Sequence, residues 1–302
     1  MGLGNYVNLA VDCQLAVDTK RVLGKTVVLT GGSSGLGLGF VQALVKAGAF
    51  VVNGDINPPP DSYSSSRSYF VKCNVTSWED QVRLFQVARG KSPTGGIDVV
   101  IANAGIYGPD VLEGLGDDEP RKPDTKALDV NLVGVMYTAK LAGWYFHHQE
   151  PRDRCLILNS SIMGYIDTQG SSVYSAAKHG VRGLMTCLRR KGVVRVNCLA
   201  PWYVATGILP DTFVHNASSH LKAKGLDWAT TDDAASAVMR LITDTSINGR
   251  TLGIVPRQMS PSGYMDMECD DFAEGTSLER LQSCVSSLAY GEFGAAVASE
   301  KI

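Results

Sequence analysis

The 302-residue sequence lacks the features that mark secreted, membrane-bound or nucleic-acid-binding proteins. Its 28 Lys and Arg residues nearly balance its 30 Asp and Glu residues, so no basic excess predicts a nucleic-acid partner. No apolar run approaches the length of a membrane span, and the first residues lack the basic start and apolar stretch of a secretory signal. We therefore expect neither nucleic-acid binding nor membrane attachment.

Cysteine and histidine are too few and too scattered to predict a disulfide framework or a metal site. The seven Cys residues form no CxxC pair, and an odd number in a long chain favours reduced thiols. This points to a reducing compartment, and we expect a cytoplasmic protein. The five His residues include no HExxH motif, so no metal is predicted.

Short apolar runs alternate with longer helical patterns through most of the chain. Strands are predicted at residues 25–30, 50–55, 69–75, 97–105, 154–161, 193–201 and 249–255. Helical periodicity is clearest at residues 37–49, 76–88, 124–146 and 172–191. This alternation predicts an α/β fold: a single-domain, Rossmann-type, doubly wound parallel sheet of about seven strands.

The two ends of the chain lie outside this pattern. Residues 1–21 are predicted to be an N-terminal extension, and residues 22–260 a dinucleotide-binding catalytic domain. The acidic, weakly patterned residues 261–302 form a C-terminal tail. We expect the tail either to cover a pocket or an interface, or to lack fixed structure.

The string TGGSSGLG, residues 30–37, closes the first predicted strand and opens the first helix. Its GxxxGxG spacing lets the main chain approach a pyrophosphate, which the free N–H groups of a helix N-terminus attract. The second strand ends at Asp55, whose carboxylate can bind a ribose 2′-hydroxyl and would repel a 2′-phosphate. Because Ser33 and Ser34 supply no positive charge to offset it, the sequence favours NAD over NADP.

Further polar residues follow in order: Asn131, Ser161, and the pair Tyr174 and Lys178 in YSAAKHG. Oxidising a secondary alcohol requires a base for the hydroxyl proton, whereas a free Tyr, with a pKa of about 10, is protonated at neutral pH. A Lys ammonium one helical turn away favours the phenolate, which can then take the proton. Ser160 is an alternative to Ser161, but the spacing to Tyr174 favours Ser161.

With NAG at residues 103–105, these motifs resemble the short-chain dehydrogenase/reductase family in its single-domain branch, over roughly residues 22–256. They resemble most closely fungal members with APW after the sixth strand, some of which are similar to 15-hydroxyprostaglandin dehydrogenase. The resemblance implies that Tyr174 transfers the proton, assisted by Lys178. It also implies that Ser161 orients the substrate and that Asn131 holds a relay water.

The resemblance further implies a nicotinamide cofactor and a homodimer or homotetramer. The implied cofactor contacts are Gly31, Ser33, Ser34, Gly35, Leu36, Gly37, Asp55, Ile56, Asn74, Val75, Asn103, Ala104, Gly105, Tyr174, Lys178, Pro201, Val204 and Thr206. Two positions depart from the family pattern. Asn74 stands where an Asp is usual beside the adenine ring, and Trp202 where a Gly is commoner.

An apolar and aromatic set of side chains is expected around the pocket mouth: Tyr107, Met163, Tyr165, Trp202, Tyr203 and those of residues 207–221. Such a lining suits a lipophilic or aromatic secondary alcohol or ketone as substrate. The expected activity is that of an NAD-dependent alcohol dehydrogenase of fungal secondary metabolism. Two alternatives remain: an NADPH-dependent ketoreductase, and a catalytically silent NAD-binding regulator.

Overall fold

The computed structural model describes residues 6, 8–150, 152–192, 194–206 and 211–290. The chain forms two compact units, Met1–Asp266 and Met267–Ile302. The described part of the chain contains no helix long and apolar enough to cross a membrane.

The first unit is built on an eight-stranded sheet with helices on both faces. Its strands are β1 (Thr26–Thr30), β2 (Phe50–Asp55), β3 (Ser68–Lys72), β4 (Val99–Ala102), β5 (Cys155–Asn159), β6 (Arg195–Pro201), β7 (Thr251–Ile254) and β8 (Tyr264–Asp266). Its α-helices are α1 (Gly35–Lys46), α2 (Trp78–Lys91), α3 (Lys126–Leu128), α4 (Gly134–His147), α5 (Ser172–Leu188), α6 (Asp211–Ala223) and α7 (Thr231–Thr243). Short 3-10 turns lie at Thr19–Val22 and Ile162–Gly164, and a π-helical turn, Asp129–Val133, joins α3 to α4.

The strand order is β3-β2-β1-β4-β5-β6-β7-β8. All neighbouring strands are parallel except β7 and β8, which are antiparallel. The predicted α/β fold and its seven parallel strands are thus confirmed, and β8 is an additional edge strand. From β1 the chain adds strands outward and then crosses back to place β4 beside β1. This reversal opens a crevice at the carboxyl ends of β1 and β4, where ligands of such sheets bind.

The continuous apolar runs of the strands are explained by burial on both faces of the sheet. On β1, Val27 and Leu29 join the core that includes Phe40 of α1, while Val28 joins the core that includes Phe85 of α2. Helices α1 and α7 cover one face, and α2, α4 and α5 cover the other. Strands packed on both faces lose the alternation of polar and apolar residues that a half-exposed strand shows.

The edge strand β8 is held by a buried ion pair. Arg250 Nη2 lies 2.7 Å from Asp266 Oδ2, and both side chains are buried. The same carboxylate oxygen accepts a 2.8 Å hydrogen bond from the main-chain N–H of Val11. Part of the predicted N-terminal extension therefore packs on the sheet edge.

The second unit contains the helix α8 (Ser277–Tyr290). The helix is preceded by Thr276, whose hydroxyl accepts a 3.3 Å hydrogen bond from the N–H of Glu279. The lid or interface role of this tail stays a prediction.

Candidate active site

The glycine-rich turn between β1 and α1 leaves no room for side chains at two positions. At Gly31, where φ is +71°, a Cβ would lie 2.7 Å from the Cα of Ala104. At Gly37 a Cβ would lie 1.9 Å from the carbonyl oxygen of Gly31 and 2.6 Å from Nδ2 of Asn103. The turn therefore brings bare main chain to the crevice, as a diphosphate requires.

Asn103 ties the end of β4 to this turn. Its Nδ2 donates hydrogen bonds of 3.0 Å to the carbonyl oxygens of Thr30 and Gly31. The Thr30 hydroxyl in turn accepts from the N–H groups of Asn103 and Ala104, at 3.1 and 3.3 Å. The predicted NAG residues thus fix the shape of the turn.

The start of α1 presents main-chain N–H groups that can bind an anion. The helix begins at Gly35, and the side chain of the preceding Ser34 makes no capping hydrogen bond. The first N–H groups of the helix are therefore not satisfied by that hydroxyl. Across the crevice, the Cβ of Thr206 lies 3.4 Å from the position that a Cβ of Gly35 would occupy.

Ser33 does not take the direct position that the sequence predicted for it. It is buried behind the turn, and its hydroxyl donates to the carbonyl oxygen of Asn57 at 2.7 Å and accepts from Asn53 Nδ2 at 3.0 Å. These bonds direct the side chain toward β2 and away from the crevice. Ser33 therefore supports the turn and does not line the cavity.

Asp55 ends β2 at the rim of the crevice. Its Oδ2 accepts a 3.0 Å hydrogen bond from the Ser33 N–H, and its Oδ1 accepts a 3.1 Å bond from the Asn57 N–H. Each carboxylate oxygen keeps a further acceptor site for a ribose hydroxyl. Among the described residues that line the cavity, Lys178 is the one cationic side chain, so none beside Asp55 offsets its charge.

A cavity of about 600 Å³ runs from this turn to the start of α5. The volume is in the range of small-molecule and cofactor sites. The predicted residues that line it are Gly31, Ser34, Gly35, Leu36, Gly37, Asp55, Ile56, Asn74, Val75, Asn103, Ala104, Gly105, Ser161, Tyr174, Lys178, Pro201, Val204 and Thr206. The structure thus gathers residues separated widely along the sequence around one space.

Tyr174, Lys178 and Ser161 converge at the far end of this cavity. Tyr174 is the third residue of α5, and Lys178 follows one turn later, with its Nζ 5.5 Å from the centre of the Tyr174 ring. The Lys178 Nζ donates a 2.7 Å hydrogen bond to the carbonyl oxygen of Asn159. Ser161 follows the end of β5, and its hydroxyl donates a 3.5 Å hydrogen bond to the carbonyl oxygen of Pro201.

Burial dominates the electrostatics of this group. Burial raises the pKa of Tyr174, the hydrogen bond from Ser161 lowers it, and the nearby Tyr203 raises it. Burial also lowers the pKa of Lys178 from 10.5 to about 8. The sequence predicted a Tyr shifted toward the phenolate. Desolvation of the phenol is thus the largest effect on the pKa of Tyr174, and it acts in the opposite direction.

The two adjacent serines are distinguished by their hydrogen bonds. Ser160 Oγ donates to the carbonyl oxygen of Lys178 at 2.8 Å, which fastens β5 to α5. Ser161 Oγ is the hydroxyl that lowers the pKa of Tyr174; it donates to the carbonyl oxygen of Pro201 at 3.5 Å and accepts from the Met163 N–H at 3.2 Å. This geometry favours Ser161 as the residue that would contact a substrate oxygen.

Asn131 lies in the π-helical turn before α4 and does not line the cavity. It is fully buried, and its amide pairs with the main chain of Ile106 through two 2.8 Å hydrogen bonds. Its Oδ1 lies 3.2 Å from the position that a Cβ of Gly105 would take, and the Lys178 Nζ lies 3.7 Å from that position. The side chain therefore fixes the chain after β4, while the relay-water role stays a prediction.

Asn74 lines the cavity, but its acceptor is already engaged. Its Oδ1 accepts hydrogen bonds from the N–H and the hydroxyl of Thr76, at 3.1 and 3.0 Å. The predicted hydrogen bond from an adenine ring would have to share this oxygen with the local turn.

The predicted substrate side of the cavity is aromatic in part. Tyr107, Met163, Trp202 and Tyr203 line the cavity as expected. Tyr165 does not, because its hydroxyl donates a 2.6 Å hydrogen bond to Thr251 Oγ1 and draws the ring away. Residues 207–210 lie outside the described residues, and residues 214–223 of α6 supply no lining residue.

Several lining residues were not predicted, and they include Asn57, Asn159, Thr168, Gln169 and Ser171. Asn159 Nδ2 donates a 3.0 Å hydrogen bond to Asn103 Oδ1, which links β5 to the glycine-rich turn. An Asn at the end of a predicted buried strand was the available signal for Asn159, because a buried amide needs polar partners. The other four lie in loops without a recognisable spacing. In the described residues, no group of three or more potential metal ligands is found.

The sheet order and the glycine-rich turn define the class of dinucleotide-binding α/β proteins. Residues 25–216 match the family model described as short chain dehydrogenase, and the chain belongs to that family. It is an oxidoreductase that acts on CH–OH groups of small molecules, and its family binds NAD or NADP.

Several similar proteins come from fungi. The chain is 35% identical over 297 residues to 5′-hydroxyaverantin dehydrogenase of Dothistroma septosporum, a match that covers 88% of this chain and 94% of that protein. It is 31% identical over 297 residues to the NADP-dependent dehydrogenase M3 of Phoma sp., covering 87% of this chain and 85% of that protein.

Solved structures share the fold. A short-chain type dehydrogenase/reductase from Mycobacterium marinum superposes with a TM-score of 0.69 at 22% identity, covering 81% of this chain and 99% of that one. The ligand-free aldohexose dehydrogenase of Thermoplasma acidophilum gives a TM-score of 0.66 at 24% identity, covering 78% and 94%.

Proposed function

We propose that this protein is an NAD-dependent dehydrogenase that oxidises a secondary alcohol on a lipophilic or aromatic molecule of fungal secondary metabolism. The observation that carries the proposal is the convergence of Ser161, Tyr174 and Lys178 in the cavity that begins at the glycine-rich turn. The names of the relatives, among them 5′-hydroxyaverantin dehydrogenase, agree with it.

The residues present fit a nicotinamide dinucleotide. Main chain at Gly31 and Gly37 and the start of α1 would hold the diphosphate, and Asp55 would hold a ribose. Pro201 at the end of β6, with Val204 and Thr206 after it, would flank the nicotinamide end beside Lys178. The bound nicotinamide would supply the hydride acceptor.

Tyr174 is the proton acceptor in this proposal. Ser161 would hold the substrate oxygen by the same hydroxyl that lowers the pKa of the phenol. Lys178 lies too close to Tyr174 for its charge to be without effect, and its position is fixed by the bond to the Asn159 carbonyl. A positive charge near the phenol stabilises the phenolate that accepts the hydroxyl proton.

The raised pKa of Tyr174 predicts how the rates depend on pH. A group whose pKa is raised is protonated at neutral pH, so alcohol oxidation should accelerate as pH rises and the phenolate forms. Ketone reduction needs the protonated phenol, so its rate should stay level and then fall at alkaline pH. Rate profiles measured in both directions with the same substrate pair check this expectation.

The preference for NAD rests on Asp55. A 2′-phosphate beside this carboxylate would bring like charges together, and the described lining residues offer no nearby cation. The relatives named NADP-dependent dehydrogenases M3 and clz5 favour the alternative, an NADPH-dependent ketoreductase.

The two cofactors are distinguished by turnover of one alcohol with NAD and with NADP, in the parent and in Asp55→Ala. Removing the carboxylate should raise the NADP-to-NAD ratio of kcat/KM by about tenfold, since one like-charge contact is worth about 1 kcal/mol or more. Asp61→Ala is the matched control, because Asp61 is exposed in the loop that follows Asp55. A parent that prefers NADP would contradict the NAD assignment.

The aromatic lining motivates the substrate class. Tyr107 stacks on Tyr174 with ring centres 6.3 Å apart, and Trp202 and Tyr203 meet edge to face at 5.0 Å. Flat apolar surfaces of this kind favour aromatic or lipophilic ligands over sugars. A coupled absorbance screen of secondary alcohols should give higher kcat/KM for aromatic and lipophilic members than for polyols.

A catalytically silent regulator is the second candidate. Cofactor binding without turnover of any alcohol or ketone in that screen would favour it and contradict the dehydrogenase. The presence of both Tyr174 and Lys178 in the cavity argues against it.

We also infer a homodimer or homotetramer in the cytoplasm. Helix α4 exposes Met136 and Trp144, at 43% and 46% of their surface, and a partner subunit would cover these apolar side chains. Light scattering of the purified chain should give a mass of two or four copies, and a monomer would contradict this inference.

A further inference from the structure

The loop that follows β4 packs against the first turn of α5, which carries Tyr174. At Gly108 a Cβ would lie 3.2 Å from the main-chain nitrogen of Tyr174 and 2.5 Å from Cβ of Ala127. The next residue, Pro109, accepts a 3.3 Å hydrogen bond from the N–H of Val173. The loop therefore touches the main chain of Tyr174 directly.

Asp110 joins this loop to α5 through both of its carboxylate oxygens. Oδ1 accepts a 2.9 Å hydrogen bond from the N–H of Leu112 and a 3.1 Å bond from the hydroxyl of Ser172, the first residue of α5. Oδ2 accepts a 3.2 Å bond from the N–H of Gly170. The Ser172 hydroxyl also accepts a 2.8 Å hydrogen bond from the Val111 N–H, so the loop and α5 each donate a hydrogen bond to the other.

These bonds exceed what a local turn requires. An Asp that only caps its own turn bonds to an N–H two residues on, as Asp110 does with Leu112. Its partners Gly170 and Ser172 lie 60 and 62 residues away. The N–H of Leu112, the Ser172 hydroxyl and the N–H of Gly170 together lower the pKa of Asp110, so the carboxylate is charged at neutral pH.

Tyr107 also binds Gly170, at its carbonyl oxygen. Its hydroxyl donates a 3.0 Å hydrogen bond to the carbonyl oxygen of Gly170, whose N–H is bound by Asp110. The Tyr107 ring lies within 26° of parallel to the Tyr174 ring. The N–H and the carbonyl oxygen of Gly170 are thus both bound, one by Asp110 and the other by Tyr107, which stacks on Tyr174.

We propose that Asp110 is a positioning residue for the dehydrogenase reaction, because it clamps the loop after β4 to the first turn of α5 and so fixes Tyr107 and Tyr174. This inference rests on the proposed function. Asp110 does not line the cavity and would not touch substrate or cofactor. It acts through the placement of the phenol and of the aromatic wall beside it.

The expected effect is on the chemical step more than on cofactor binding. A displacement of about 1 Å at a reacting group can reduce the rate by about a hundredfold. For Asp110→Ala we expect kcat for alcohol oxidation to fall by about tenfold or more, with KM for the alcohol raised. KM for the nucleotide should stay within about twofold, because the glycine-rich turn is anchored by Asn103 and not by this loop.

The test compares Asp110→Ala and Asp110→Asn with the matched control Asp124→Ala, all in the full chain. Asp124 lies in the same connection between β4 and α3 and bonds only to the neighbouring Lys126. Asp110→Asn keeps one acceptor oxygen but turns an amide toward the Gly170 N–H or the Ser172 hydroxyl. It should therefore lose less activity than Asp110→Ala, and Asp124→Ala should match the parent.

The double variant Asp110→Ala with Tyr107→Phe separates positioning from general destabilisation. Because both side chains hold Gly170, the two losses in kcat should combine to less than their product. A structural role alone would lower the melting temperature and affect the nucleotide and alcohol KM values together. If Asp110→Ala fails to fold, Asp110→Asn and Ser172→Ala carry the same comparison.

Each outcome decides the proposal. A kcat for Asp110→Ala within twofold of the parent, with Tyr174→Phe inactive, would overturn the positioning role and leave the proposed function intact. The positioning role would also be overturned if Asp110→Ala changed all kinetic constants by the same factor and Asp124→Ala lost activity to the same extent. If the parent oxidises no alcohol with either nucleotide, the proposed function fails and this inference fails with it.

Discussion

Replacing Gly37 by alanine would place a methyl group where the first turn of α1 meets the end of β1. The new Cβ would lie 1.9 Å from the carbonyl oxygen of Gly31 and 2.6 Å from Asn103 Nδ2. Real Cβ atoms do not approach heavy atoms closer than 3.0 Å, so the main chain at Gly31 must move by more than 1 Å (3.0 minus 1.9). The atoms that would have to move are those assigned to the diphosphate.

The magnitude follows from the overlap with main chain. Overpacking of this kind destabilises a protein by about 1–3 kcal/mol, because the neighbouring atoms cannot rotate away. We therefore expect the melting temperature to fall by about 2–5 °C in a chain of this length. The Kd for NAD should rise by at least about tenfold, since the cradle and Asn103 both shift.

Two measurements on the same samples check this prediction: thermal unfolding by circular dichroism, and NAD titration by calorimetry. Gly90→Ala is the control, because a Cβ there meets nothing within 4 Å and Gly90 lies in the last turn of α2. That variant should be unchanged or slightly more stable, as alanine is the better helix former. A Gly37→Ala protein that binds NAD as tightly as the parent would refute the assignment of the turn.

Further predictions concern charge. The buried Lys178 has a pKa of about 8 against 10.5 for a free Lys, so the unfolded chain binds more protons between these values and stability rises with pH across them. The free energy of unfolding of Lys178→Met should therefore exceed that of the parent by up to about 3 kcal/mol at pH 7, and the difference should shrink toward pH 10. Urea unfolding across this pH range measures the difference, and a difference that does not change with pH would contradict the prediction. Arg250→Met removes the cation that pairs with the buried Asp266 carboxylate, so the free energy of unfolding should fall by about 3–5 kcal/mol. Arg83→Met removes the exposed partner of the half-buried Asp80 and should change the free energy of unfolding by less than about 1 kcal/mol. Equal effects of the two substitutions would show that burial of the ion pair is not the cause.

The parts of the fold with a strong repeating signal were predictable from the sequence. Continuous apolar runs such as that of β1 mark strands buried on both faces, and all seven such runs form the parallel sheet. The short strand β8 escaped prediction because three residues cannot show a period, and its pairing with β7 depends on a distant ion pair. Helix α8 was missed in a tail whose acidic composition obscured its pattern.

The candidate site likewise contains residues that the sequence predicts and residues that it does not. The glycine-rich turn, Tyr174 and Lys178 were predictable because each has a fixed spacing within one element. The family resemblance implied Ser33 as a cofactor contact, and Tyr165 was expected at the pocket mouth, but hydrogen bonds to Asn57 and Thr251 direct these side chains elsewhere. Such choices depend on partners far away in sequence, and no local pattern contains them.

The direction of the Tyr174 pKa shift was also beyond sequence reasoning. Sequence reasoning counted the charges of Lys178 and of an oxidised nicotinamide, both of which favour the phenolate, but it did not count the burial that raises the pKa of Tyr174. Burial arises from the packing of α5 against the loop after β4, which includes Gly108. It therefore becomes visible only when the elements are assembled.

The central claim, that the Tyr174 phenol transfers the proton of the substrate hydroxyl, is tested most directly by alcohol oxidation in Tyr174→Phe. The control is Tyr165→Phe, which removes a phenol outside the cavity. We predict that Tyr174→Phe lowers kcat by about a hundredfold to ten-thousandfold while NAD binding stays near that of the parent, and that Tyr165→Phe is active. Oxidation by Tyr174→Phe at the rate of the parent would contradict the account.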